Sequence, residues 1–180
     1  LDKVLKKGVE NGKWRFFMDE NAQAGILGRY EKEALTYVKQ HRNSIQKLHD
    51  NCRNTNEIIK TAESLSKARI GEARLKSPGP QVEILTYEDE IDKINKISEY
   101  LNILFNKGIN YKDIAILSFV NKSESCINKL SERWQDVIIE INKFNINSEE
   151  NTILFSNIKD YKGLESNNVI IIDSDLVSFN

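Results

Sequence analysis

Several things are scarce in this 180-residue chain. There are two cysteines, Cys52 and Cys126, far apart and outside any C-x-x-C pair. That spacing suggests neither a zinc knuckle nor a redox dithiol, and it suits a reducing compartment such as the cytoplasm. The two histidines, His41 and His49, have no cysteine or carboxylate beside them at ligand spacing. Ordinary surface or partly buried histidines explain them better than a metal site does. Neither charge sign dominates, since 26 basic residues face 27 acidic ones. A globally basic nucleic-acid binder is excluded, although a local basic groove is not. No apolar run reaches the length of a membrane span, and no signal peptide opens the chain.

What is present reads as a folded α/β protein. Hydrophobic residues make up 39% and charged residues 29%, a balance that argues against disorder. The chain opens on L-D-K-V-L-K-K-G, a pattern expected to be the last turns of a helix, and is read as part of something longer. Residues 14–18, W-R-F-F-M, are expected to be a short buried strand, followed by the polar loop D-E-N-A-Q and a loosely helical stretch over 31–40. In residues 51–65, Asn54 followed by Glu57 has the spacing of a capping box, ahead of Ile58, Ile59, Ala62 and Leu65 at helical spacing. Both prolines of the chain fall in K-S-P-G-P, at 76–80, which marks a loop.

Residues 82–87 alternate as a strand should. Residues 89–107 place Ile91, Ile94, Ile97, Leu101 and Leu104 on one face and stop at Gly108, predicting a helix. Strands are expected at 113–120, 137–141, 152–155 and 169–172, with a helix over 123–134 starting at Ser123. Continuous apolar strands alternating with helices predict a mostly parallel sheet with helices on both faces. In such folds ligands lie beyond the carboxyl ends of the strands.

One stretch imitates a phosphate loop. G-V-E-N-G-K, at 8–13, is one residue short between its glycines, and Trp14 stands where Ser or Thr should hold Mg²⁺. Three other stretches are more specific: N-C-R-N-T at 51–55, Y-K-D-I-A-I-L-S-F-V-N-K-S-E-S at 111–125, and N-I-K-D-Y-K-G-L-E at 157–165. In this order they resemble motif IV, the following strand and motif V of the UvrD/Rep-like superfamily I DNA helicases. The loop D-E-N-A-Q is similar to motif III, with one extra residue.

The resemblance implies a RecA-like, P-loop NTPase-type fold, with ATP and Mg²⁺ held between two lobes. Residues 1–41 would be the tail of the first lobe and 42–180 most of the second, stopping before motif VI. The phosphate loop and the Mg²⁺ carboxylate would lie outside this chain, so its partners would be the remainder of the same polypeptide and single-stranded DNA. Motifs IV and V stand closer together than in UvrD itself, which implies a compact relative without the large accessory insertion. Arg53 matches the arginine that reaches the γ-phosphate, where a guanidinium forks onto phosphate oxygens. Gln23 matches the glutamine that senses that phosphate. Glu165 matches the carboxylate that accepts from the ribose, and Gly163 would allow close backbone approach. Lys162 also belongs to the motif.

Asn157 and Lys159 stand where Thr and His usually touch the strand; they retain a phosphate donor and a charge but no stacking ring. Ser118-Phe119 replaces an arginine-containing pair, removing one expected cation. These departures leave a second possibility open, a helicase-like module that binds nucleic acid or protein without hydrolysing ATP. An unrelated flavodoxin-like or receiver-like domain would need a phosphate or acidic pocket at its first strand, and no such loop is present.

Overall fold

In the computed structural model, residues 5–17, 31–41, 44, 46, 50–66, 70–74, 79–141 and 151–176 are described. Contacts divide the chain into two units, Leu1–Glu83 and Ile84–Asn180.

The first unit is built from short pieces. Leu5 to Lys7 form a turn, and the helix α1, Gly8–Asn11, starts where the sequence suggested that one would end. Gly8 has a φ of 67°, a conformation that favours glycine and here opens a helix rather than closing one. The run W-R-F-F is neither a strand nor buried. Phe17 is 86% exposed, and Trp14 turns back so that its Nε1 donates to the Val9 carbonyl at 2.8 Å. Its apolar composition matched a core strand, but it joins no ladder among the described residues.

Helix α2, Lys32–Gln40, buries Val38. A two-residue parallel pair, β1 (Asp50–Asn51) and β2 (Glu72–Ala73), flanks helix α3, Asn56–Ser66. The expected capping box at Asn54 does not form. The Asn54 N–H donates to Asn51 Oδ1, Thr55 precedes the helix, and Glu57 accepts from the Gly79 N–H at 2.8 Å. A donor distant in sequence took the carboxylate that local spacing had assigned to the cap.

The second unit holds the main sheet. Residues 84–87 form no ladder, and Ile84 and Leu85 are exposed, so the strand expected over 82–87 is absent. Helix α4, Glu90–Asn106, matches its sequence signal closely. Asp89 caps it by accepting from the Asp92 N–H, and Gly108, at φ 80°, closes it. Ile97, Leu101 and Leu104 are buried, while Ile91 is exposed and Lys93 is buried in its stead.

Strands β3 (Ile114–Ser118), β4 (Ile138–Glu140), β5 (Ile153–Asn157) and β6 (Asn168–Ile172) form a parallel sheet in the order β4-β5-β3-β6. The expected helix over 123–134 is broken. Two 3₁₀ turns, Lys122–Glu124 and Cys126–Lys129, precede helix α5, Glu132–Val137. Ser125, Leu130 and Ser131 are extended and interrupt the helical path.

Register sorts the two faces of the sheet. Ile138, Ile153, Phe155, Ile114, Ile116, Ile170 and Ile172 point to one side, because side chains alternate along a strand and paired residues share a face. That side packs with Ile97, Leu101 and Leu104 of α4, Ile127 and Leu130, and Trp134 of α5 in one core. The opposite side carries Ala115, Leu117, Leu154, Val169 and Ile171, and the last two are exposed. Among the described residues, the helices of this unit gather on the first face.

Phe155→Ala should therefore destabilise the chain by about 3–5 kcal/mol, and Ile171→Ala by less than about 1 kcal/mol. Urea unfolding midpoints check the contrast, and comparable losses would contradict this assignment of faces.

Candidate functional site

The strand order defines where a ligand site can form. From β3 to β4 the chain steps two places one way across the sheet; from β5 to β6 it steps two places the other way. Right-handed crossovers put such opposed connections on opposite faces, so a crevice opens between the carboxyl ends of β3 and β5. A groove of about 320 Å³ lies there, lined by Phe119, Val120, Asn121 and Glu124 after β3 and by Asn157, Lys159 and Asp160 after β5.

Both walls are built by local bonds. Asn157 Oδ1 accepts from the Lys159 N–H at 3.0 Å, and the Asn157 carbonyl accepts from Asp160 and Tyr161. This asparagine thus folds its own turn, which explains an Asn at a strand end. On the other wall, the Asn121 carbonyl accepts from the N–H groups of Glu124 and Ser125. Ser118 joins the two walls, since its carbonyl accepts from the Ile158 N–H at 3.0 Å and its hydroxyl accepts from the Val120 N–H at 3.1 Å.

A polar cluster gathers at the end of β6, next to β3. Asp173, directly after β6, is 1% exposed and has a φ of 57°. Its Oδ2 accepts from Ser118 Oγ at 2.7 Å and from Ser125 Oγ at 2.6 Å. Its Oδ1 faces Lys93 Nζ at 2.8 Å as an ion pair outside hydrogen-bond geometry, and Lys93 also meets Asp175 at 2.9 Å. Burial pushes the Asp173 carboxyl upward, but the Lys93 ammonium and the two serine hydroxyls outweigh it and hold the group at about 2. Burial and the neighbouring Asp173 push the Cys126 thiol up to about 12, leaving it unreactive.

The residues singled out from sequence are distributed as follows. Asn157 and Lys159 come together in the groove. Lys162 is exposed in the turn that follows. Gly163 there has a φ of 91°, and a Cβ added to it would meet nothing within 4 Å. Glycine is thus favoured at 163 by backbone conformation rather than by lack of space. Glu165 lies near the far end of the sheet. Its neighbour Ser166 donates to the Asp113 carbonyl at 3.0 Å, beside the start of β3, about 13 Å along the strands from the groove. Arg53 is exposed in the bend before α3 of the first unit, where its N–H donates to Asn51 Oδ1. Gln23 lies outside the described residues.

Sequence reasoning did not select Phe119, Val120, Asn121, Glu124 or Asp160. The usable signal was their position just past two buried strands, and it becomes specific only once β3 and β5 are known to be neighbours. Among the described residues, no three His, Cys, Asp or Glu side chains are placed to hold a metal ion. Among the same residues, no helix is long and apolar enough to cross a membrane. No family model, no curated protein and no solved structure matches the chain.

The Asp173 charge has a defined pH signature. A carboxyl depressed in the fold contributes stability that is fully present above its unfolded value, near 4. That stability is lost as pH falls through about 2. The contribution is on the order of 2 kcal/mol. Asp173→Asn should be less stable than the parent at pH 7, and the difference should narrow between pH 4 and pH 2. Urea midpoints stepped through that window measure it; a constant difference would contradict the charged state assigned to Asp173.

Proposed function

We propose that this chain is part of an ATP-dependent, UvrD-like superfamily I DNA helicase or translocase, chiefly its second RecA-like lobe, and that its groove holds the backbone of single-stranded DNA. The observation that carries the reading is the groove between the loops after β3 and β5, at the switch point of a parallel sheet. Two of the residues chosen for strand contact, Asn157 and Lys159, line it. The Asn157 and Asn121 amides and the Lys159 ammonium are suited to phosphate oxygens, which need donors and positive charge rather than base recognition.

In this reading residues 1–41 belong to the first lobe and 42–180 to the second. ATP supplies the driving energy; the motif matches assign Arg53 and Gln23 to its γ-phosphate, and Gly163 and Glu165 to the nucleotide. Lys162 adds charge beside the strand. The Mg²⁺ ligands and the phosphate loop are absent from this sequence, so the chain alone is expected to show no ATPase activity. Steady ATP turnover by it would overturn that assignment.

Charge limits the affinity. Lys159 faces two carboxylates, Glu124 and Asp160, and Lys122 directs its ammonium to the Ile138 carbonyl at 2.9 Å. This acidic lining repels phosphate and leaves a second reading, a non-hydrolysing helicase-like module for nucleic-acid or protein binding, of which the lining suits protein better. Anisotropy of a labelled oligo-dT with the 180-residue chain at low salt tests strand binding. Lys159→Ala should weaken binding about 3–10-fold, and Asp160→Asn should tighten it about 2–5-fold, with both effects shrinking as salt rises. Absence of any oligo-dT binding would sink the strand-binding reading. Binding that ignores both substitutions would move the strand away from this groove.

A further inference from the structure

We propose that Asp173 is the positioning residue of the groove, a buried carboxylate that fixes the wall formed by residues 119–124 by holding both of its ends. The inference rests on the reading of the groove as a single-strand site only for its functional consequence; the geometric claim stands separately. One oxygen, Oδ2, receives both Ser118 Oγ and Ser125 Oγ. Those serines bracket the wall, and each passes the constraint on. Ser118 Oγ accepts from the Val120 N–H at 3.1 Å, and Ser125 Oγ accepts from the Ile127 N–H at 3.3 Å. The wall is thus a six-residue loop pinned at both feet to one atom.

Three further features show that this atom is held in place. Lys93 of α4 pairs with the other carboxylate oxygen at 2.8 Å. Asp175 holds Lys93 from its second side at 2.9 Å. The backbone at Asp173 is left-handed, with φ 57°, a conformation that Asp tolerates better than most residues and that ends the strand's extended path. The serines themselves are 0% and 3% exposed, so no solvent replaces a lost partner without rearrangement. Val120 of the wall joins the clamp through its backbone N–H, so the clamp is cut at Ser118 and Ser125 without replacing a side chain that lines the groove.

The test pairs amide hydrogen exchange with oligo-dT binding in the same variants. The double variant Ser118→Ala/Ser125→Ala should lower protection across 119–127 by about tenfold or more, and weaken oligo-dT binding by about 5-fold. Ile153→Val, a core change in β5 that causes a modest loss of stability, should leave both readouts unchanged at 119–127. Asp173→Asn keeps one oxygen for the two serines and exchanges the oxygen paired with Lys93 for an amide NH2, whereas Asp173→Ala removes both oxygens. Protection over 119–127 should survive in the first and fall in the second, which decides the matter even if the double serine variant does not fold.

The proposal is overturned if the serine variants keep parental protection over 119–127, or if Ile153→Val loosens that segment equally. It is also overturned if Asp173→Asn and Asp173→Ala loosen it to the same extent. If the parent chain binds no oligo-dT, the strand-binding reading fails while the exchange data still decide the positioning role.

Discussion

A single carboxylate governs the upper end of the main sheet. Burying a charge is expensive unless ion pairing and hydrogen bonds replace its water, and Asp173 gains two hydroxyl donors and an ammonium. Because the charge must be satisfied, everything that satisfies it is fixed in place: the end of β3, the turn after it, the first turns of α4 and the segment leaving β6. Replacing one partner leaves the others buried without their counterpart, which is why the cluster behaves as a unit rather than as separate bonds. The apolar core below gives the sheet its stability. The carboxylate gives one end of that sheet a defined shape.

The groove depends on that shape and on strand order together. Parallel strands leave their connecting loops at one end, and the reversal of direction between β3 and β5 keeps the space between those loops clear. Its surface is polar but close to charge-balanced, with one ammonium against two carboxylates. On the proposed strand-binding reading, such a surface would hold an anionic chain through amides and geometry more than through net attraction. That suits reversible contact better than tight capture.

Much of the second unit was legible in the sequence, and the reason differs by element. Helix α4 carries a periodic apolar face, an Asp cap and a terminal glycine, three local signals in agreement. Strands β3, β5 and β6 are apolar runs too short for helices. Residues 82–87 and W-R-F-F had the composition of strands, but a strand also needs a neighbour, and composition does not supply one. The helix expected over 123–134 is interrupted at Ser125, Leu130 and Ser131, and the first of these bonds to Asp173, 48 residues away, a partner that no local window contains. The site follows the same division. Asn157 and Lys159 were visible from the strand end that precedes them. The wall at 119–124 and Asp173 depend on which strands are adjacent and on a left-handed residue, and neither is written in spacing. The loop at 157–165, one motif in sequence, is divided in space between the two ends of the sheet.

The order of the strands also sets a schedule. The chain is synthesised from its amino end, and β3, one of the sheet's two inner strands, is complete more than fifty residues before Asp173 emerges. Helix α4, the two 3₁₀ turns and strands β3 to β5 can all collapse around their shared core before then. The groove cannot take its final form until β6 docks beside β3 and carries the carboxylate under the waiting serines. On a ribosome the last strand therefore completes two things in one step: Ile170 and Ile172 close the core, and Asp173 reaches the serines that hold the wall.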